Sequence, residues 1–463
     1  MHAPEARCGA TRKHKYLRLF AAPSCGDMAL RSQHGPSIAD RHDGSLENTG
    51  CSSLNGTTGR RIRLTRASPH GFAAGCEGIA HGGSDLPGIN VMLSNQCGDL
   101  LVFSHLRWEW VFQRPQHLMM RAARDRRVFF FEEPMLGAVA PSLCHRHAAP
   151  NVTIVTPHLP DGMSAAESLA AQRALLDSWM VRSRVHPETL WYYTPVALNF
   201  TAHLSAPTIV YDCMDELAAF AGAPPELRAL ERQLMARADV VFTGGVSLYE
   251  AKRSMHSNVH AMPSCVDLDH FRAARAQQDD HARQSHVPQP RIGFCGVLDE
   301  RLDIPLISEL TQANPAWQFV FAGPVCKIDP ASLPTGPNVH YLGACAYDEL
   351  PSLMSHWQVG WMPFAINEAT RYISPTKTPE YLAAGLPVVS SPIRDVVRTW
   401  GDDGFVTIAA TPQEFSAALT EQLSARSAPA RLARIDRTLA FHSWDALWYR
   451  MDDLMRKTSV NAA

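Results

Sequence analysis

Ser374-Pro-Thr-Lys-Thr-Pro-Glu-Tyr-Leu-Ala-Ala-Gly-Leu-Pro-Val-Val-Ser-Ser391 is the most informative stretch of this 463-residue chain. Ser374 before Pro375, or Thr378 before Pro379, is an N-cap followed by proline at the first helical position. Gly385 ends the short helix, and Val388–Ser390 then reads as a buried strand. A helix feeding such a strand is one unit of a parallel sheet covered on both faces. A helix start exposes unpaired N–H groups, and Lys377 adds a full charge, so a diphosphate would sit well there. Glu380, about one turn in, suits the hydroxyls of a ribose. The same residues also fit a capped helix with an exposed lysine and a first-turn glutamate.

Outward from this unit the alternation of strand and helix continues. Runs at Arg291–Phe294, Phe319–Ala322, Val339–Leu342, Val359–Met362 and Val406–Ile408 complete one series. An earlier series reads Leu100–Ser104, Val128–Phe131, Val152–Val155, Leu190–Thr194, Thr208–Tyr211 and Val240–Phe242. The expected architecture is α/β, with two doubly wound, Rossmann-like domains facing a cleft. Residues 96–271 form the first domain, 272–290 a polar linker, 291–430 the second domain, and 431–463 a helix packing back on the first.

Residues 1–95 read differently. Within residues 1–90 lie 13 of the 28 glycines and 11 basic against 7 acidic residues, with no sustained period. The expectation is a disordered or non-native extension, with Met92 an alternative start. Over the whole chain 46% of residues are hydrophobic, 19% are charged, and Lys+Arg 43 nearly balances Asp+Glu 45. That is the composition of an ordinary globular enzyme and argues against a nucleic-acid partner. The 11 cysteines lack any C-x-x-C pairing, which argues for reduced thiols and against a structural zinc site. No apolar run reaches the length of a bilayer crossing, and no good secretory signal stands at the start.

The string S-P-x-K-x-x-E-Y-L-A-A-G-L-P-V-V resembles the donor-binding signature of GT-B glycosyltransferases. Asp99-Leu-Leu-Val-Phe-Ser-His-Leu-Arg-Trp-Glu-Trp-Val-Phe-Gln-Arg-Pro-Gln-His-Leu118 resembles the opening of a bacterial cell-surface-polysaccharide subgroup, the teichuronic-acid type. Ala238-Asp-Val-Val-Phe-Thr243 and Pro263-Ser-Cys-Val-Asp-Leu-Asp-His-Phe271 resemble the last strand of that family's first domain and the crossing into its second. The resemblance implies a sugar transferase using a nucleoside-diphosphate sugar as co-substrate, with no resident cofactor. Its acceptor would be a glycan or a lipid-linked hydroxyl. It would act in the cytoplasm, or peripherally at the inner face of the membrane. In the donor site it implies Gly296, Arg301, Ser374, Lys377 and Glu380, with Tyr372 where the family's first glutamate stands. That substitution departs from the pattern, as does Ser264-Cys265 in place of Asn-Gly at the crossing.

First-domain candidates follow from position at the carboxyl edge of the sheet. Arg107, Trp108 and Arg114 suit an acceptor, through stacking on sugar and pairing with anions; Trp110 and Phe112 read as packing for the loop. His105, Asp212 and Asp215 are candidate catalytic groups: Asp212 or Asp215 would take the acceptor proton in an inverting reaction, and His105 would polarise a hydroxyl or cap a backbone group. Asp215 also fits as a helix cap, and Arg301 as an ion pair with Asp299 or Asp303. Thr243-Gly-Gly-Val-Ser247 is a turn that brings backbone close to something. Asp267-Leu-Asp269 looks like a metal-binding D-x-D, but its context at the crossing makes it structural, so no metal is expected. Rival readings are a sugar-nucleotide epimerase on the same plan and a catalytically silent scaffold of that fold.

Overall fold

A computed structural model of the chain describes residues 98–276, 279–424 and 429–462. The extension assigned to residues 1–95 lies outside them. The first region runs β1 (Asp99–Phe103), α1 (Arg114–Ala122), β2 (Val128–Phe131), β3 (Met135–Leu136), β4 (Ser142–Ala149), β5 (Val152–Leu159), α2 (Ala165–Ser183), β6 (Pro187–Tyr192), α3 (Leu198–Thr201), β7 (Thr208–Cys213), α4 (Leu227–Arg237), β8 (Val240–Thr243), α5 (Val246–Lys252), β9 (Val259–Ala261) and α6 (Leu268–Arg272). Its sheet has the order β3-β5-β2-β1-β6-β7-β8-β9, with β4 paired antiparallel to β5. β1 is buried along its whole length because helices cover both faces. Elsewhere, Ser164 and Glu167 close a reciprocal capping box that starts α2.

The second region runs β10 (Arg291–Cys295), α7 (Ile304–Ala313), β11 (Gln318–Ala322), β12 (Val339–Gly343), α8 (Leu350–Met354), β13 (Val359–Met362), α9 (Lys377–Ala383), β14 (Val388–Ser390), α10 (Arg394–Val396), β15 (Thr407–Ile408), α11 (Pro412–Ser424), α12 (Pro429–Leu439) and α13 (Trp444–Ala462). Its six strands are all parallel, in the order β12-β11-β10-β13-β14-β15. Both regions are doubly wound sheets, the fold class read from the alternation. β3, β4 and β9 are not announced by the sequence. Two of them are too short to show a period, and β4 carries His145, Arg146 and His147 on an edge that needs no continuous apolar run.

Three apolar clusters hold these layers. One underlies the second sheet, and two lie on opposite faces of the first. Trp444, Leu447, Trp448, Met451 and Met455 of α13 join Leu100, Val102, Phe130 and Trp191 in one first-sheet cluster. No described helix is long and apolar enough to cross a membrane.

Candidate functional site

The second-domain half is built on the ends of β10 and β11 and the start of α9. Tyr381 is fully buried, and its hydroxyl accepts the Cys295 amide at 2.8 Å, which fixes α9 to the end of β10. Lys377 therefore lies along Gly296, whose φ of +142° only glycine adopts readily. A Cβ there would stand 2.9 Å from Lys377 Nζ and closer still to Cε. Glu380 accepts a hydrogen bond from Thr376, and burial pushes its carboxyl up against the opposing pull of Lys377. The helix starts between the two expected caps. Thr376 is the N-cap, makes no capping bond with its side chain, and leaves neither Ser374 nor Thr378 in that role. Tyr372 is half-buried against the apolar cluster of the first domain, and the Arg371 guanidinium lies over its ring at 5.3 Å. An aromatic surface thus occupies the position where the family pattern has a carboxylate.

Arg301 forms a bidentate pair with Asp299, its Nη2 2.7 Å from Oδ2. The loops after β10 and β11 are zipped together: the Leu298 amide donates to Pro324 O and the Cys326 amide to Leu298 O, each at 2.9 Å. This brings up Lys327, which the sequence does not single out and which adopts left-handed backbone at φ +61°. Its Nζ lies 3.9 Å from Glu300 and 4.6 Å from the ring centroid of Phe220, a first-domain residue. Arg301 approaches the same ring at 5.9 Å.

Opposite stand the first-domain groups. Burial raises the Asp215 carboxyl, Arg301 and Lys327 oppose that shift, and Asp299 adds to it. The turn after Asp215 has no side-chain cap, so the capping alternative does not apply. His105 is lowered to about 4 by burial and by Lys327, while a hydrogen bond to the Tyr193 backbone works the other way. It is a neutral imidazole at the cleft.

Asp212 and Arg114 take a different role from the one expected. Arg114 is locked on Asp212, both are buried, and neither is presented to the cleft. Arg107 is held by Glu132 at 3.0 Å and by the Pro134 carbonyl at 3.1 Å. The Trp108 amide also donates to Glu132, and its indole packs edge-on against Phe130 at 5.2 Å. These two residues shape the loop. Trp110, expected to pack, is 45% exposed, whereas Phe112 does pack, against Tyr347 and His117.

The Gly-Gly turn serves contact between the domains. Asp395 accepts the Ser247 amide at 3.0 Å and its hydroxyl at 2.5 Å, and Arg398 and Arg394 reach Glu250. A Cβ on Gly245 would stand 2.8 Å from Ser374 Cβ and closer to Asp395, while one on Gly244 would strike the Met214 carbonyl. At the other end of α5, Lys252 pairs with Glu216 at 2.6 Å and Glu231 at 2.7 Å, steadying the segment that carries Asp215. Asp267 caps α6 through the His270 amide, and Asp269 is 98% exposed beside Arg272. Among the described residues no cluster of His, Cys, Asp and Glu gathers as metal ligands.

Residues 289–425 match the family model described as glycosyl transferases group 1. Over 218 residues the chain is 27% identical to a Bacillus subtilis strain 168 protein named as the teichuronic acid biosynthesis glycosyltransferase TuaH; the match spans 44% of this chain and 55% of that protein. In fold, it resembles sucrose-phosphate synthase of Thermosynechococcus elongatus with a TM-score of 0.61 at 15% identity, over 79% of this chain and 100% of the other. An E. coli trehalose-6-phosphate structure bound with UDP-2-fluoro glucose aligns with a TM-score of 0.59 at 12% identity, over 77% of this chain and 99% of that one. The described regions therefore have the two-domain GT-B fold, and residues 289–425 are similar to the glycosyl transferases group 1 family.

Proposed function

We propose that this protein transfers a sugar from a nucleoside-diphosphate sugar to a hydroxyl of a cell-surface glycan or lipid-linked acceptor, without a metal. The observation that carries the reading is Lys377 laid along Gly296 at the end of β10, with Glu380 one turn further on. Lys377 and Arg301, joined by Lys327, supply positive charge for the diphosphate, and Glu380 is placed for a ribose. The acceptor oxygen attacks the anomeric carbon as the bond from that carbon to the diphosphate breaks, and the diphosphate keeps the bonding pair. In an inverting reaction the acceptor proton passes to His105 or Asp215. In a retaining reaction it passes to the leaving phosphate. A lipid-linked acceptor would bring the protein to the inner face of the membrane as a peripheral protein.

The test is a thermal-shift series with UDP, GDP, ADP, CDP and dTDP, with and without EDTA. A ligand at 100 times its Kd adds about 2.7 kcal/mol of apparent stability. One diphosphate should shift the protein regardless of EDTA. Glu380→Ala should weaken that binding by about 1.5–3 kcal/mol, the worth of a charge-assisted hydrogen bond. No shift with any diphosphate overturns the reading.

A further inference from the structure

Phe220 of the first domain stands at the end of the turn that begins with Asp215. The bonds that close this turn are local: the Leu217 amide donates to the Asp215 carbonyl at 3.0 Å, the Ala219 amide to Glu216 at 2.8 Å and the Ala223 amide to Phe220 at 3.2 Å. Gly222, at φ +77°, supplies the left-handed residue on which the chain reverses. Lys252 anchors the turn through Glu216. Core packing does not account for where the Phe220 ring stands. No residue of Leu217–Ala219 is buried, and Phe220 itself is half-buried and belongs to none of the three apolar clusters.

Two cations of the second domain meet that ring instead. Lys327 Nζ lies 4.6 Å from its centroid and the Arg301 guanidinium carbon 5.9 Å, both within reach of a cation–π contact. Arg301 is already paired with Asp299. Lys327 is not held in that way, because its acidic neighbour Glu300 stands 3.9 Å off, too far for a hydrogen bond. Both Glu300 carboxylate oxygens are buried with no hydrogen-bond partner among the described residues. The ring of Phe220, more than an ion pair, therefore sets where the Lys327 ammonium stands.

We propose that Phe220 is a positioning residue for the donor: it holds Lys327, and with it Arg301, toward the place of the diphosphate, so that the first domain contributes to a site otherwise built by the second. The inference rests on the glycosyltransferase reading and adds to it the residue that places these cations from across the cleft. A long, flexible lysine loses rotamer freedom when it binds an anion, and a ring that already restricts it lowers that cost. The local bonds of the turn also tie Phe220 to Asp215, so the diphosphate and a candidate proton acceptor are referred to one hydrogen-bonded unit.

Calorimetric titration of the full chain with UDP, GDP, ADP, CDP and dTDP tests this, on the wild type and on Phe220→Leu, Phe220→Tyr, Lys327→Gln and the Phe220→Leu/Lys327→Gln pair. Leucine keeps most of the apolar volume and removes the π face, whereas tyrosine keeps the face. For the diphosphate that the wild type binds most tightly, Phe220→Leu should weaken binding about threefold or more, in keeping with a partly exposed cation–π contact. Phe220→Tyr should restore it to within about twofold of wild type, a recovery that depends on the aromatic face. Lys327→Gln should weaken binding by itself, and in that background Phe220→Leu should change it by less than about twofold. Unchanged or tighter binding in Phe220→Leu, no recovery in Phe220→Tyr, or a full leucine effect without Lys327 would each overturn the positioning role. Lys327→Gln leaves the turn untouched, so wild-type affinity in that variant overturns it even where circular dichroism shows the leucine variant to be unfolded. A wild type that binds none of the five overturns the transferase reading and this inference together, whereas wild-type binding that Phe220→Leu leaves unchanged overturns this inference alone.

Discussion

Arg114 and Asp212 are 98 residues apart in sequence and bound fork to fork, with Nε at 3.1 and 3.0 Å from the two carboxylate oxygens and Nη2 at 2.9 Å. The remaining guanidinium nitrogen donates to the Met262 carbonyl at 2.7 Å. One buried side chain thus joins the start of α1, the end of β7 and the segment after β9. Arg114→Met leaves Asp212 buried without its counter-charge and should cost about 3–5 kcal/mol. Replacing both residues by apolar ones should restore much of that loss. Urea denaturation of the single and double variants checks this. If Asp212 were the base instead, Asp212→Asn would abolish turnover with little change in stability.

Asp395 and Gly245 govern how closely the domains meet. Gly245→Ala places a methyl group where Ser374 and Asp395 already stand, so the second domain must move away. Small-angle scattering should show a larger radius of gyration, and kcat/KM should fall, while the variant stays folded by circular dichroism. Asp395→Asn, which weakens the charge-assisted bonds from Ser247, should loosen the same contact by about 1.5–3 kcal/mol. An unchanged radius in both variants would remove the latch.

The strand runs were legible because buried parallel strands are continuous β-branched and aromatic segments; Val128–Phe131 was read to the residue. The short helix that carries Lys377 and Glu380 was legible from its prolines and Gly385, although neither expected cap starts it. Asp212 was not, since its position at a strand end is read from local sequence while its partner Arg114 lies on another element. Trp108 and Trp110 exchanged their expected surroundings for a similar reason: only the Glu132 anchor decides which indole turns inward. Lys327 had no local signal, because it reaches the cleft through the zippering of two loops.

Trp448 is 4% exposed, lies 6.2 Å from Trp191 and carries the Arg126 guanidinium at 5.5 Å. It fills the first-domain core from the far end of the chain. Trp448→Ala should cost about 3–5 kcal/mol. Unfolding followed by a probe in the first domain should register the loss. A transition displaced only in the second domain would contradict this packing.

Two sets of buried groups should pull stability in opposite senses between about pH 4.5 and 7. His105 and His117 are lowered by burial to about 4 and about 3, and Arg121 and His270 add to the effect on His117. Their folded pKa values lie below the unfolded value, so the native state binds fewer protons and loses stability as pH falls from 6.5. Between pH 6.5 and 5 each contributes about 2 kcal/mol of that loss. Glu133 acts oppositely. Its folded value of about 7 exceeds the unfolded 4.5, so the stability it leaves intact at low pH is lost between 4.5 and 7, on the order of 3 kcal/mol. The two histidines outweigh the one glutamate, so the thermal midpoint should rise from pH 4.5 to about 7 and level off by pH 8. His117→Phe should flatten the acid limb, and Glu133→Gln should raise the midpoint at pH 8 while leaving it unchanged near pH 4. An acid limb that keeps its slope in His117→Phe would mean that this imidazole is protonated in the native protein.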